Sequence, residues 1–384
     1  MLDVPVNLPL LERATQLAIS RRRFLRTLTG AATANLVVAS RGSTTMRRSY
    51  GSKSIIVTFG GGARDQETFA PEGQQYIPRI LTELIPRSTF YTQVINRGIL
   101  GHYVANAGLA TGCYESFNNF ASIQPTNPTI FEYYRQDRRR PAEDVWVIAP
   151  SNGFSRIGAS SHYAYGSSRG ATVVLPKQLL SVGDDHRFES LLRDSYEGPA
   201  SNLISRDPRR DNEMVERLLR LSMTDFKDHA RNISSPDELS LYIALHLMRN
   251  LAPSLIWITL HDIDIAHAGA FSLYTEAIER TDRICAELVH ALDREPEYKD
   301  RTNLFILPDF GRDADDDASG NGFQHHRTGD ALSRTTWLLA MGPGIRKNTT
   351  VDRPVESIDL VPTLAQMLGC EPRFSQGRPL TELL

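Results

Sequence analysis

The sequence predicts an α/β protein, and three stretches carry that prediction. Lys53–Phe59 (KSIIVTF), Leu255–Leu260 (LIWITL) and 304–307 (LFIL) are short, continuous apolar runs of buried-strand length. Each ends abruptly in chemistry-bearing residues: Gly60-Gly61-Gly62, then His261-Asp262-Ile263-Asp264-Ile265-Ala266-His267, then Pro308-Asp309. Segments of helical period lie between them, and in parallel α/β sheets the C-terminal strand edge is where ligands bind.

Length and composition fit that class. A chain of 384 residues could form two domains, but large α/β enzymes often fill this size with one core. With a net charge of −2 and 23% charged residues, no basic surface for nucleic acid is indicated. Cys113, Cys285 and Cys370 have no CxxC spacing and read as buried thiols, with one disulfide left open. Residues 20–39 (SRRRFLRTLTGAATANLVVA) place adjacent arginines before Phe-Leu and a weakly apolar run, the pattern of a twin-arginine export signal. That run is too short and too polar for a permanent membrane span. Residues 1–45 are therefore set aside as signal and linker, and the Arg, Ser, Thr and Gly-rich stretch 40–52 reads as a tether. The destination is the periplasm or another exported location.

The elements follow in order over 53–384. After the first strand, the triple glycine continues into Ala63-Arg64-Asp65, where exposed backbone N–H groups and Arg64 could cradle an anion. Helical spacing covers 77–85, strand character 91–97, and 98–112 reads as a strand-to-helix turn with His102 at its mouth. A helix over 128–135 precedes strands at 145–149 and 171–175. The stretch 153–210 is rich in glycine, serine and charge without periodicity, an elaborated loop region at the site edge. Two amphipathic helices cover 212–230 and Pro236–Asn250, the second behind a Ser-Ser-Pro-Asp-Glu start. The core-facing stripe of 270–292, a strand at 337–341 and a helix over 357–368 stopped by Gly369 complete the chain.

The chemistry concentrates at strand ends. A carboxylate from a strand end and a neutral imidazole from a returning loop are donors that hold zinc, manganese or iron. Asp264 and His267, three apart, can face one cavity on a helical turn, with Asp262 and His261 as alternatives; Asp309 and the pair His325-His326 supply further donors. His102 could act as general base, as a metal ligand, or as a plain hydrogen-bonded histidine. Arg64 and Arg312 could clamp a tetrahedral anion or serve in salt bridges at the surface.

Together these pieces resemble the alkaline-phosphatase superfamily of phosphatases, sulfatases and cofactor-independent phosphoglycerate mutases, from about Ser54 to the C-terminus. The resemblance rests on HDIDIAHAGAFSLYTEAIERTD, LPDFG with a later histidine, GPGI, ESIDLVPTLAQMLG and the closing GRPLTELL. With the twin-arginine pattern, the GGGARDQETF turn and DFGRD before NGFQHH, it is most similar to an exported, largely uncharacterised branch.

The resemblance implies a doubly wound, mostly parallel sheet sandwiched by helices, with metal at the strand C-termini. Asp264 and His267 match the Asp-then-His ligands with a gap one residue short, and Asp262 could take the aspartate role. Asp309 matches the aspartate of the Ser-Asp-His-Gly turn, and His325 or His326 the last histidine. Three positions depart from the pattern: Gly60 or Phe59 stands where the first-strand aspartate is expected, Phe310 where the turn has histidine, and His102 where the nucleophile falls. The expectation is one divalent transition ion, zinc foremost, and an exported metal-dependent hydrolase acting on a small anionic phosphate or sulfate ester. The alternative is a degenerate member that binds metal or an anion, or serves as an interaction domain, without turnover.

Overall fold

The structure is a computed structural model that describes residues 52–121, 123–150, 152–165, 167–180, 185–192, 216–315 and 321–383. The arginine-rich segment of the expected export signal lies outside the described residues. No described helix is long and apolar enough to cross a membrane.

A nine-stranded sheet organises the fold. Its strands are β1 (Lys53–Phe59), β2 (Thr89–Ile95), β3 (Val145–Ile148), β4 (Thr172–Val174), β5 (Leu255–Leu260), β6 (Thr302–Pro308), β7 (Thr335–Met341), β8 (Thr349–Val351) and β9 (Val355–Glu356). The order is β4-β3-β5-β1-β6-β7-β2-β8, with β9 also pairing β2. Among the described residues only the β6–β7 and β7–β2 pairings are antiparallel, so β7 alone of these strands runs against its neighbours. The mostly parallel α/β architecture is the one the sequence predicts.

Strand β1 shows why both faces must be covered. Every residue of it is buried, and alternate side chains enter different cores. Ile55, Val57 and Phe59 join one core with residues of two helices, Pro236–Asn250 (α4) and Phe271–Arg294 (α5). Ile56 joins the other, with His102–Thr111 (α1), Ile130–Asp137 (α2) and Leu360–Leu368 (α6). Period-two alternation on a strand buried on both faces gives this division. Helix starts are capped as the sequence allows: Thr129 and Glu132 form a capping box on α2, and the Ser235 side chain accepts from the N–H groups of Asp237 and Glu238 on α4.

Some local expectations give way. The helix expected over 77–85 is present but irregular: an α-helical start at 78–79 widens into a π-helical turn, Ile80–Leu84, followed by a 3-10 turn at Ile85–Arg87. Pro86, lacking an N–H, sits where the wide turn ends. Of the helix expected over 212–230, residues 212–215 lie outside the described residues and the remainder is interrupted: Arg220 takes a φ of 52°, and Ser222 caps a fresh helix, Met223–Ala230 (α3). Among the described residues the cysteines are free, with Cys113 and Cys285 buried but Cys370 only half-buried. The region 153–210 contributes β4 and short helical turns; 166, 181–184 and 193–210 of it lie outside the described residues.

Candidate metal centre

Three adjacent strands end together and build the site. The Gly60 N–H donates to the Leu260 carbonyl at 2.6 Å and the Asp309 N–H to the Phe59 carbonyl at 3.0 Å, which ties the C-terminal ends of β1, β5 and β6 side by side. The segment after β5 turns at once into a 3-10 helix, Asp262–Ala268. In that helix residues three apart eclipse, so Asp264 and His267 face the same way. From the other side comes the first turn of α1, whose leading residue is His102.

Asp264 Oδ1 is the focus. His102 Nε2 lies 3.0 Å from it, His267 Nε2 3.2 Å and Arg312 Nη2 2.9 Å, while Oδ2 faces His261 Nε2 at 3.3 Å. His326 Nε2 stands 2.9 Å from His267 Nε2. One donor atom from each of His102, Asp264, His267 and His326 lies within 4.8 Å of the others. Ligand bonds of roughly 2.0–2.2 Å in a tetrahedron require donor separations of about 3.4 Å; the contacts of 2.9–3.2 Å and the outer limit of 4.8 Å lie on either side of that value, so small side-chain shifts bring three imidazoles and a carboxylate onto a zinc-like ion.

The outer partners fit as well. His102 Nδ1 lies 2.8 Å from Asp309 Oδ2, and His326 Nδ1 lies 3.0 Å from the Leu100 carbonyl. A carbonyl only accepts, so the His326 proton sits on Nδ1 and its Nε2 carries a lone pair toward the cluster. Imidazoles held through one nitrogen by a carboxylate or backbone carbonyl and bare at the other are the usual arrangement behind a metal.

Charge in the cluster is balanced internally. Burial pulls the His102 imidazole down, but Asp264 and Asp309 outweigh it and push it up to about 9. Burial works against ionising Asp264, yet His102, with His261 and His267, holds its carboxyl well below the usual range. Burial, with His102, Arg312 and His267 nearby, pulls His326 down to about 2. His102 and Arg312 as cations thus offset the carboxylates of Asp264 and Asp309.

The candidate residues divide. His102, Asp264, His267 and His326 come together. Asp309, fully buried, stands behind His102 instead of beside the other donors: its Oδ2 also accepts from Asn106 Nδ2 at 3.2 Å, and its Oδ1 from the Phe310 N–H at 2.9 Å and the Gly61 N–H at 3.3 Å. Asp262, weighed as an alternative ligand, points away; the Ser235 hydroxyl donates to it and Arg280 Nη1 pairs with it at 3.0 Å. That carboxylate anchors the turn to α4 and α5. His325 lies outside the donor group, because its neighbour His326 takes the inward position.

The glycine turn is filled from within. Gly60 and Gly61 spend their N–H groups on Leu260 and Asp309, and a Cβ on Gly62 would lie 1.9 Å from the Phe310 carbonyl oxygen. The glycines therefore permit close backbone packing in place of an open anion cradle. Arg64 is buried in ion pairs with Glu67 at 2.5 Å and Asp315 at 2.6 Å. Thr111, at the far end of α1, is nine residues beyond His102, about 13 Å along the helix axis at ~1.5 Å per residue. Sequence reading missed Asn106, Leu100 and Asp237; the last accepts from the His261 N–H at 2.8 Å and the Asp262 N–H at 2.9 Å and fixes the turn.

No family model matches the sequence, and no curated protein is significantly similar to it. The fold, however, is alkaline-phosphatase-like. A superfamily protein from Vibrio parahaemolyticus matches with a TM-score of 0.50 at 14% identity, over 95% of this chain and 79% of that one. The lipoteichoic acid synthase LtaP from Listeria monocytogenes matches at 0.53 and 12%, over 94% and 80%. Wild-type alkaline phosphatase PafA matches at 0.53 and 12%, over 91% and 100%. At these identities the likeness is one of fold.

Proposed function

We propose that this chain is an exported, metal-dependent hydrolase of a phosphate or sulfate ester, with one divalent transition ion held by His102, Asp264, His267 and His326. The observation that carries the reading is the convergence of those donors at the C-terminal strand edge, backed by Asp309 and the Leu100 carbonyl. Fold kinship with a protein named an alkaline phosphatase supports the substrate class by analogy. When bound, such an ion supplies Lewis-acid polarisation of an ester oxygen and activation of water near neutral pH.

The chain's own residues do the rest. Asp309 holds the His102 proton on Nδ1 and leaves Nε2 for the site. Leu100 does the same for His326. No serine or threonine stands at the head of α1, where His102 is, so the reading is direct attack by water without a covalent enzyme intermediate. Residues 1–45 serve as export signal and linker, 53–384 as the hydrolase unit, and 153–210 as an elaboration at its edge.

Turnover of aryl phosphate and aryl sulfate esters by the metal-loaded protein tests the proposal. Activity should vanish on chelation and in His267→Ala. Replacing Arg21, Arg22 and Arg23 by Lys should hold the protein in the cytoplasm; undiminished export would reject the signal. One observation favours a second reading, a non-catalytic member: His102 between two carboxylates, with Arg312, neutralises the site without any ion. A metal-loaded protein inert across a broad ester panel would select it.

A further inference from the structure

Arg312 lies in a glycine turn where an exposed cation would be expected, yet its side chain is 0% exposed. A guanidinium cannot shed its charge, so its burial demands partners on every side. Nε donates to the Gly62 carbonyl at 2.7 Å, Nη1 to the Phe323 carbonyl at 3.2 Å, and Nη2 to Asp264 Oδ1 at 2.9 Å, with the Ile263 carbonyl at 3.5 Å. Those partners belong to the turn after β1, the segment before His326, and the turn after β5; Arg312 itself follows β6. Every segment that feeds the cluster except α1 meets on one planar group. Of these partners only Asp264 is charged.

The glycine turn makes room for it. Gly61 has a φ of +105°, and a Cβ there would lie 2.9 Å from Arg312 Nη2. A buried ion pair is a weak source of stability, because desolvation offsets the attraction, and its clearer use is to specify one geometry. A carboxylate can rotate and exchange its oxygens. Here the fork, anchored to backbone through two nitrogens, pins Oδ1 with the third.

We infer that Arg312 is a positioning residue: it holds Asp264 Oδ1 at the point shared by the imidazoles of His102 and His267, and so sets the geometry in which the cluster takes a divalent cation. The inference rests on the reading of those donors as a metal centre. Lysine keeps the charge but has no fork, and cannot span Gly62, Phe323 and Asp264 together. Arg64 is a matched control, since it is buried in the same neighbourhood but pairs with Glu67 and Asp315.

The experiment measures zinc affinity by chelator competition, and the visible spectrum of the cobalt(II)-loaded protein, for wild type, Arg312→Lys, Arg312→Ala and Arg64→Lys. Arg312→Lys should bind zinc at least about tenfold more weakly and change the cobalt band intensities with its circular dichroism unaltered. Arg64→Lys should lower Tm and keep wild-type affinity and spectrum. Millimolar guanidinium ion should restore zinc affinity to Arg312→Ala, a rescue that a general loss of packing would not show. Should one Arg312 variant fail to fold, the other decides. Wild-type affinity and spectrum in Arg312→Lys, absence of rescue in Arg312→Ala, or an equal loss in Arg64→Lys would overturn the inference. Wild type that takes no ion would instead bring down the metal centre, and this inference with it.

Discussion

Asp309→Asn should weaken metal binding by about 10 to 100-fold, or about 1.4–2.8 kcal/mol, although Asp309 lies behind the donor group. The two carboxylate oxygens have separate tasks, so the amide has one sensible orientation. Its oxygen must stay at the Oδ1 position, where the Phe310 and Gly61 N–H groups donate. Its NH2 then replaces Oδ2 and points at His102 Nδ1, 2.8 Å away, and at the amide nitrogen of Asn106, 3.2 Å away. Two donors cannot face each other, so His102 must accept at Nδ1 and carry its proton on Nε2, the atom needed by the metal. Asn106 keeps its bond to the His102 carbonyl at 2.9 Å, which limits the damage to the fold. The metal-free protein also loses one of two carboxylates flanking a cationic His102, on the order of 3 kcal/mol for a buried pair. Competition with a chromophoric chelator at neutral pH reads the affinity. A value within twofold of wild type would refute the tautomer argument.

The metal-free protein should show a pH signature of His102. Its folded pKa, about 9, lies above the ordinary 6.5, so its contribution is fully present below about 6.5 and lost as pH rises through about 9; His102→Gln should flatten that part of the Tm profile. Zinc affinity should run the other way, rising over the same window as the competing proton leaves. Asp264→Asn should abolish metal binding, whereas Asp262→Asn, which removes the charge paired with Arg280 while its amide oxygen can still accept from Ser235, should lower stability by about 1–3 kcal/mol and leave binding largely intact, read by calorimetry and chelator competition. His326→Ala should lower zinc affinity at least about 100-fold while His325→Ala changes it less than threefold, and equal losses would show the wrong histidine is placed inward.

The central strands were legible because burial on both faces leaves an unbroken apolar run, as in Leu255–Leu260, whose predicted and observed bounds coincide, whereas the short edge strands β8 and β9 carry no such run and were missed. The spacing of Asp264 and His267 was legible for a similar reason: three apart is the repeat of a 3-10 turn. Adjacent histidines carry no such signal, and the choice of His326 over His325 depends on where the Leu100 carbonyl lies. Asp262 and Asp264 alternate around one turn, so only the surrounding helices decide which faces the cluster. Arg312 was misread because charge argues for the surface, and only three-dimensional closure supplies the carbonyls that satisfy it. The antiparallel direction of β7 and the break at Arg220 were likewise invisible, since strand direction and a single left-handed residue leave no periodic trace.

The most direct test of the account is metal content per chain, measured by elemental analysis of protein purified without chelators and again after zinc loading and dialysis. Four donors gathered at one site, with Arg312 and Phe310 at the neighbouring positions, predict one tightly held divalent transition ion per chain, lost together with turnover in His267→Ala. No retained ion, or two equivalents, would contradict the single-ion centre.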